Sequence, residues 1–347
     1  MVELWFGIVA VMLTMYVVMD GFDLGAGVLH LFVARTNAER RAVLAAIGPY
    51  WDANEVWLLA TGGALFVAFP KVLASGLSGF YFAIFLVLWS LILRGISIEF
   101  RSHVTAPMWR AFWDSTFALA SILLCIFFGC ALGNLLRGLP LDTDGWFSLS
   151  LFTDFSGRMP VGILDWYTVS VGVFALLALV MHGGAYLAWK TDDEVGARSC
   201  NLAYVAALVV AALWPVMTFA TVRVNPLMFD HFVSRPLAWI CVSLAVFGLV
   251  SVLVGLRRGS HRRAFFGSSA FLLGLMAATA VSIYPVMLRG IGEGVSILAT
   301  EASNDVEGLR TATRWWLVGI PLVVVYFAIQ FRVHAGKATA HRESEGY

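Results

Sequence analysis

Long apolar segments recur along the whole chain, separated by short stretches that carry Gly, Pro and charged residues. Each segment is long enough to cross a hydrocarbon core of about 30 Å as an α-helix, which takes about 20 residues. The pattern therefore predicts nine membrane-spanning helices, at residues 4–33, 48–70, 76–98, 112–136, 163–190, 199–222, 236–256, 264–288 and 314–333.

The connections between the predicted spans indicate how they are grouped. The short stretch "PKVLAS" predicts that the second and third spans form an antiparallel hairpin. An acidic loop divides the first four spans, within 4–136, from four more within 163–288, and the ninth, 314–333, stands apart. The similar stretches "VMDG" and "VMHG", in the first and fifth spans, leave an ancient duplication open.

Composition agrees with an integral membrane protein. The chain of 347 residues is 60% hydrophobic and only 13% charged, whereas a soluble domain carries about 25% charged residues. The net charge of +1 argues against nucleic-acid binding. The four cysteines lie in apolar segments without CxxC spacing, which is typical of small buried side chains. The first segment lacks the basic region of a cleaved signal, so it is expected to remain as a helix.

The distribution of Lys and Arg predicts the orientation in the membrane. Basic residues are more numerous on the side that holds the loops after spans one, three, five and seven and the C-terminal tail. The loop "GLRRGSHRRAFFG" contributes most to this difference. By the positive-inside rule this side is cytoplasmic, so the N-terminus is expected outside and the C-terminus inside the cell.

Acidic side chains lie inside apolar segments, where a charge is unusual. Asp20 and Asp23 are three residues apart in the first span and share a helix face, as do Asp52 and Glu55 in the second. Span directions place all four near one cytoplasmic depth, together with the end of the third span. The predicted proton path is Asp20, Asp23, Asp52 and Glu55, with Trp51, Asn54, Trp57, Arg94, Glu99 and Arg101 as supporting residues.

The cost of these acids favours a functional role. A charge near the bilayer centre costs about 2.5–3.5 kcal/mol, so such groups face a bundle interior or a hydrated cavity. Buried carboxyl groups can exchange protons near neutral pH, which suits a proton-uptake path. The structural alternative is an Asp–Arg clamp that holds the helices in register. Glu99 and Arg101 are expected to be interfacial anchors, and Asn54 to bond a neighbouring backbone group or Asp52.

Histidine and cysteine patterns give little support for a cofactor in this chain. His182 alone lies well inside a span, where it could ligate a haem, join a proton path or hydrogen-bond across helices. A second axial histidine is missing, and the sequence has no P-loop, Rossmann fingerprint or metal-binding Cys/His cluster. We therefore expect no metal ligands and no cofactor bound directly by this chain.

Three quoted stretches are similar to a known family. "DGFDLGAGVL", "ERRAVLAAIGPYWDANEVWLLATGGALFVAFP" and "SGFYFAIFLVLWSLILRGISIEFR" resemble subunit II of the cytochrome bd quinol oxidases, and "GNLLRGLP" and "MHGGAYLAWKTD" continue the likeness more weakly. By this resemblance Asp23 is the aspartate of the family's GFD motif and Asp52 is the acid of its W-D-G-N-[EQ]-x-W motif, in which Ala53 stands where the family usually has Gly. "MYVVMDGFDLG" with "IEFR" is more similar to the cyanide-insensitive branch than to others.

The resemblance implies a fold and a set of partners. It implies an all-α polytopic protein of the bacterial cell membrane, with two four-helix bundles and one peripheral helix in a single unit, 1–347. It also implies a heterodimer with a larger subunit I, which carries haems b and d and the quinol site. Subunit II would then stabilise subunit I and supply a cytoplasmic proton path. A structural quinone occurs in some members, and a small accessory subunit is left open.

Two other functions fit parts of the sequence. A proton-coupled secondary transporter would use the same buried acids, and Pro215 and Pro285 would mark the interrupted helices that such transporters have. Direct haem binding through His182 is the third possibility.

Overall fold

The computed structural model describes residues 1–292 and 295–338, apart from the side chain of Asp193, and these residues are almost entirely helical. The elements are α1 (Val2–Val33), α2 (Asn37–Ile47), α3 (Trp51–Ala68), α4 (Pro70–Gly79), α5 (Tyr81–Phe100), α6 (Pro107–Arg137), α7 (Trp166–Lys190), α8 (Asp193–Val224), α9 (Pro226–Ser234), α10 (Pro236–Arg257), α11 (His261–Ile283), β1 (Val286–Leu288), β2 (Ile297–Leu298), α12 (Ala299–Ala302) and α13 (Val306–Val333).

Each of the nine predicted spans coincides with one long helix. Among the described residues, eight helices are long and apolar enough to cross a membrane: α1, α5, α6, α7, α8, α10, α11 and α13. The ninth, α3, is 18 residues long but carries Asp52, Asn54 and Glu55 in its first turns, which makes it less apolar. The prediction of an all-helical polytopic membrane protein is confirmed.

Several boundaries differ from the prediction, each for a local reason. The stretch "PKVLAS" lies in helix α4 rather than in a tight turn, because Pro70 suits the first helical position. Helix α11 ends at Ile283, before Pro285, since the residue preceding a proline is disfavoured in a helix. The predicted span 264–288 is therefore too long, and its last residues pair as β1 with β2. Helices α2 and α9 were not predicted.

Helix α1 lies at the centre of the molecule, in contact with α3, α6, α7 and α11. It crosses α7 at Gly25 and Gly183, where a side chain on either residue would collide with the backbone of the other helix. The two backbones can approach this closely because neither glycine has a Cβ atom. The division into bundles over 4–136 and 163–288 stays a prediction, because α1 is in close contact with α7 and α11 as well as with α3 and α6.

Helix α13 is attached mainly at its two ends. Near its start, the Trp5 indole donates to Leu309 O at 3.2 Å and lies 3.1 Å from Thr313 Oγ1. Past its end, Tyr50 Oη donates to His334 O at 3.1 Å and Lys190 Nζ donates to the same oxygen at 2.7 Å. Among the described residues of α13, Leu309 is the one that is buried. The predicted peripheral helix, 314–333, thus begins two turns earlier than expected.

Candidate functional site

The first-span acid Asp20 is fully buried and paired with an arginine from α5. Arg94 Nη1 lies 2.8 Å from Asp20 Oδ2, and Nη2 lies 2.5 Å from Oδ1, so the two groups form a bidentate pair. Arg94 is also fully buried. A guanidinium fork matches a carboxylate in this way, and a buried charge needs such a partner.

Asp23, one turn further along α1, has a different environment. The Asn54 amide of α3 donates to Asp23 Oδ2 at 2.7 Å and to Met19 O at 3.0 Å. Asp23 Oδ1 is buried without a hydrogen-bond partner among the described residues. A fully buried carboxyl group therefore faces one neutral donor, whereas the neighbouring Asp20 has a cation.

The structure separates the other predicted site residues by depth. Glu55 is half-buried and close enough to Arg94 and Asp20 to interact with them electrostatically. Asp52 and Glu99 are exposed on the surface of the chain, which differs from the single shared pocket that we expected. We use the name Asp23 cluster for Asp20, Asp23, Asn54, Glu55 and Arg94.

The two predicted tryptophans lie on different sides of α3. Trp51 is half-buried, and its ring lies beside Gly95 of α5. Trp57 is buried and stacks on Phe327 of α13, with ring centroids 5.8 Å apart. Trp51 thus contributes to the α3–α5 contact and Trp57 to the α3–α13 contact.

Arg101 belongs to a second buried cluster, which the sequence reasoning missed. Arg101 Nε lies 2.5 Å from Asp114 Oδ1, and Arg40 Nη1 lies 2.8 Å from Oδ2. His30 Nε2 lies 2.6 Å from Asp114 Oδ1. Arg101 Nη2 also donates to Asn37 Oδ1 at 3.0 Å. We call His30, Arg40, Arg101 and Asp114 the Asp114 cluster.

A signal for this second cluster is present in the sequence. Asp114 is an acid in "FWDSTFALA", within the apolar segment that forms α6. The same argument that selected Asp20 and Asp23 applies to it, because a charge in such a segment requires a partner. Arg101 is therefore a buried partner of Asp114 rather than an exposed interfacial anchor.

His182 joins three helices. Its Nε2 donates to Val18 O of α1 at 2.9 Å, and its Nδ1 lies 2.7 Å from Ser268 Oγ of α11. The ring is fully buried and stacks on Phe265, with centroids 5.2 Å apart. Both ring nitrogens are engaged, so this arrangement offers no free nitrogen to an iron and does not fit axial haem ligation.

Neither of the prolines that we considered as helix breaks interrupts a helix in mid-membrane. Pro215 lies inside the continuous helix α8, and Pro285 lies beyond the end of α11. The interrupted helices expected of a secondary transporter are therefore not found at these positions.

A long apolar slot lies between α13 and the helices α1 and α3. A cavity of about 730 Å³ is lined by residues that include Trp5, Met12, Gly63 and Trp316. A smaller one of about 210 Å³, lined by Trp57 and Phe327 among others, shares Met12 and Trp316 with it. The slot follows from the fold, since α13 is attached at its ends and loosely packed between them.

Comparisons with known proteins agree with this architecture. The family model for cytochrome bd terminal oxidase subunit II matches residues 1–334. The chain is 30% identical to cytochrome bd-I ubiquinol oxidase subunit 2 of Escherichia coli strain K12, over 94% of this chain and 92% of that protein. It is 29% identical to cytochrome bd ubiquinol oxidase subunit 2 of Bacillus subtilis strain 168, over 99% of this chain and 98% of that protein.

A solved structure shares the fold. The bd oxidase from Geobacillus thermodenitrificans contains a chain that aligns with a TM-score of 0.69 at 15% identity, covering 96% of this chain and 98% of its own. Similarity of fold at this identity does not identify the family, whereas the family model, which matches residues 1–334, does. The chain therefore belongs to subunit II of the cytochrome bd terminal oxidases, a family of subunits of a membrane-bound oxidoreductase complex.

Proposed function

We propose that this chain is the haem-free subunit II of a quinol oxidase, that it stabilises a haem-bearing subunit I, and that the Asp23 cluster carries protons from the cytoplasm towards oxygen reduction in that partner. The observation that carries the proposal is the environment of Asp23. Its carboxyl group is fully buried, and one of its oxygens has no hydrogen-bond partner among the described residues.

The charges of the cluster support proton exchange. Asp20, Asp23 and Glu55 are three acids, and Arg94 is the one cation that the described structure places against them. Asp20 uses that cation in a bidentate pair, so Asp23 lacks a counter-charge. An uncompensated buried carboxylate is costly, and Asp23 can avoid the cost by holding a proton or a water molecule. In either state the carboxyl group is able to take up and release a proton, as a transfer site requires.

Glu55 and Asp52 suit the entrance of such a path. Glu55 is half-buried and Asp52 is exposed, and both lie in the first turns of α3 together with Asn54, which donates to the buried carboxyl of Asp23. The series from exposed to buried acid runs inward from the end of α3 that we predict to be cytoplasmic. The orientation itself rests on the Lys and Arg distribution and remains part of the proposal.

The outer face of α3 is the proposed contact with subunit I. Asp52, Val56, Leu59 and Phe66 are exposed and recur at the spacing of one helix face. A carboxylate on a face that meets lipid is costly, whereas a protein partner can supply a donor for it. A photocrosslinking residue at Leu59 should link the two subunits, and one at Val216 of α8 should not.

The proton role is tested by Asp23→Asn in the assembled complex. Asn keeps the size of the side chain but holds no exchangeable acid, so we expect quinol-oxidase turnover to fall by roughly 10²-fold with unchanged haem content. Asp144→Asn, the same change at an exposed acid in the loop after α6, is the matched control and should retain full turnover. Near-normal turnover of the Asp23 variant at every pH would remove this residue from the path.

The absence of haem in this chain has its own test. His182→Gln should leave the haem content of the complex unchanged, because Gln can still bridge α1 and α11. Loss of one haem per complex in a pyridine haemochrome assay would contradict the proposal.

The slot beside α13 fits a structural quinone. Its apolar walls suit an isoprenoid tail, and the indole N–H groups of Trp57 and Trp316 are buried without acceptors among the described residues. A quinone carbonyl oxygen is an acceptor of the kind that these donors lack. Such a quinone would be held by Trp57 and Trp316 at its ring and by the slot along its tail.

Extraction of the purified complex tests this assignment. We expect about one tightly held quinone per complex, and Trp316→Phe should reduce its retention several-fold because the donor is lost while the ring is kept. Trp239→Phe, on the distant helix α10, is the control. Equal quinone content in all three proteins would contradict the site.

A further inference from the structure

The Asp114 cluster contains hydrogen-bond donors that the protein does not use. Both oxygens of the Asp114 carboxylate are occupied by His30, Arg40 and Arg101. Arg101 is 2% exposed, yet its Nη1 has no acceptor among the described residues, and the same holds for Arg40 Nε. A buried guanidinium nitrogen without an acceptor is costly, so these groups require one from outside the chain.

Two more unused donors lie on the α5–α6 turn and in the first turns of α6. Ser102 Oγ and Trp113 Nε1 are buried and lack partners among residues 1–292 and 295–338. The Trp113 ring lies 5.7 Å from that of Phe100, next to Arg101 in the chain. By contrast, the neighbouring Trp109 Nε1 donates to Phe100 O at 2.8 Å. Of these two tryptophans, only Trp113 therefore keeps an unused N–H among the described residues.

The charge of the cluster defines the missing acceptor. Two guanidinium groups, Arg40 and Arg101, share the single carboxylate of Asp114, which leaves an excess positive charge. Arg101 is fully enclosed, and Arg40 is 27% exposed, so the site opens to the surface on the Arg40 side. Guanidinium groups bind phosphate oxygens through several hydrogen bonds at once. An anion with several oxygens would satisfy both the charge and the donors.

The position of the turn selects the source of that anion. It joins the end of α5 to the start of α6, which is where two membrane spans meet the headgroup layer. Phe100, Trp109 and Trp113 surround it, as aromatic residues do at membrane interfaces. Below it, Ile92 of α5 and Phe112 of α6 are exposed apolar side chains. Basic pockets between spans at this level bind lipid headgroups.

We propose that the α5–α6 turn binds the phosphodiester group of a phospholipid through Arg40, Arg101, Ser102 and Trp113, with the acyl chains along the apolar surface of α5 and α6. The site is distinct from the Asp23 cluster. Its one buried carboxylate, Asp114, is already paired with Arg40 and Arg101, whereas Asp23 has no cation of its own. It does not depend on the proton path or on the quinone.

A pair of tryptophan variants tests the proposal in the delipidated complex. Short-chain phosphatidylglycerol is titrated, and binding is followed by the shift of the thermal unfolding midpoint. Trp113→Phe removes a donor assigned to the lipid and should weaken binding about fivefold or more. Trp109→Phe removes an N–H that is used inside the protein, and its affinity should equal that of the wild type. Arg40→Gln should weaken binding further.

The same titration separates the possible acceptors. Inorganic phosphate at the same concentration should give no comparable shift, because it lacks the acyl chains. Equal affinity of the Trp113 and Trp109 variants would overturn the site, and equal stabilisation by inorganic phosphate would show a free-anion site instead. Failure of phosphatidylglycerol to saturate would show that subunit I or water fills the turn, which also contradicts the proposal.

Discussion

The two buried clusters combine acidic side chains and arginines in opposite proportions. The Asp23 cluster has three acids around Arg94, whereas the Asp114 cluster has two arginines around one acid. An excess of acid in an apolar interior can be relieved by a proton, which comes and goes. An excess of arginine cannot be relieved by losing a proton, since guanidinium stays charged, so it calls for a fixed anion. The ratio of acids to arginines therefore separates a candidate transfer site from a candidate binding site.

The largest loss of stability is expected from substitution of Arg94. Arg94→Gln leaves Asp20 fully buried without its bidentate partner, which should destabilise the complex by about 3–5 kcal/mol. Unfolding in mixed detergent–SDS micelles, followed by circular dichroism, measures the loss. The double variant with Asp20→Asn should recover most of it, because no unpaired charge remains. A single variant as stable as the wild type would mean that water already compensates Asp20.

A smaller loss is expected at the centre of the other cluster. Asp114→Asn replaces an acceptor oxygen by an amide donor that faces Arg101 and His30, and we expect a cost of about 2–3 kcal/mol. The cost stays below that of Arg94→Gln because Arg40 is 27% exposed and can be rehydrated. The same micelle assay applies. A loss larger than that of Arg94→Gln would reverse the comparison between the clusters.

Asp23→Asn should change stability very little, although it is expected to abolish most turnover. The only hydrogen bond that the described structure gives this side chain comes from the neutral Asn54 amide, and Asn can accept it equally well. A protonated carboxyl group and an amide each leave one buried polar atom without a partner here, so we expect the unfolding free energy to change by about 1 kcal/mol or less. A strongly destabilised variant would indicate that Asp23 is ionised and paired, as in the clamp interpretation.

The partly buried ion pair Glu39–Arg198 is the reference for the two fully buried clusters. Partial burial is the largest single influence and raises the pKa of Glu39, but hydrogen bonds from the Arg35 and Thr36 backbone N–H groups and from Arg198 together lower that pKa below its ordinary value. The stabilisation is complete above the ordinary pKa of a glutamate and is lost as the pH falls through the lowered value. Because water still reaches both side chains, this stabilisation amounts to at most about 1 kcal/mol. Glu39→Gln should therefore lower the free energy of unfolding near neutral pH and leave it unchanged in strong acid.

Much of the fold could be predicted because hydropathy is a property of each segment by itself. All nine spans coincide with helices, and Asp20 and Asp23 are both buried as their spacing indicated. The short helices α2, α4 and α9 were missed, since they are too short to produce a hydropathy signal. The Thr36–Glu39 capping box of α2 is visible in the sequence and could have located its start.

The pairing of side chains between helices could not be predicted in the same way. Asp20 and Asp23 lie on one helix face, yet one meets Arg94 and the other meets Asn54. Asp52 and Glu55 are also three residues apart, yet only Glu55 is turned inward. These outcomes depend on the rotation of α3 and α5 about their axes, which is set by packing against α1 and is not encoded in the spacing along one helix.

The crossing of α1 and α7 at Gly25 and Gly183 limits how the protein can move. Backbone meets backbone there, so no side chain can change its rotamer to let one helix slide over the other. A protein that works by rocking one half against the other must change the contact between α1 and α7. The close approach of the two backbones at Gly25 and Gly183 does not allow that change. In the proposed function, protons therefore pass between side chains that this scaffold holds in place.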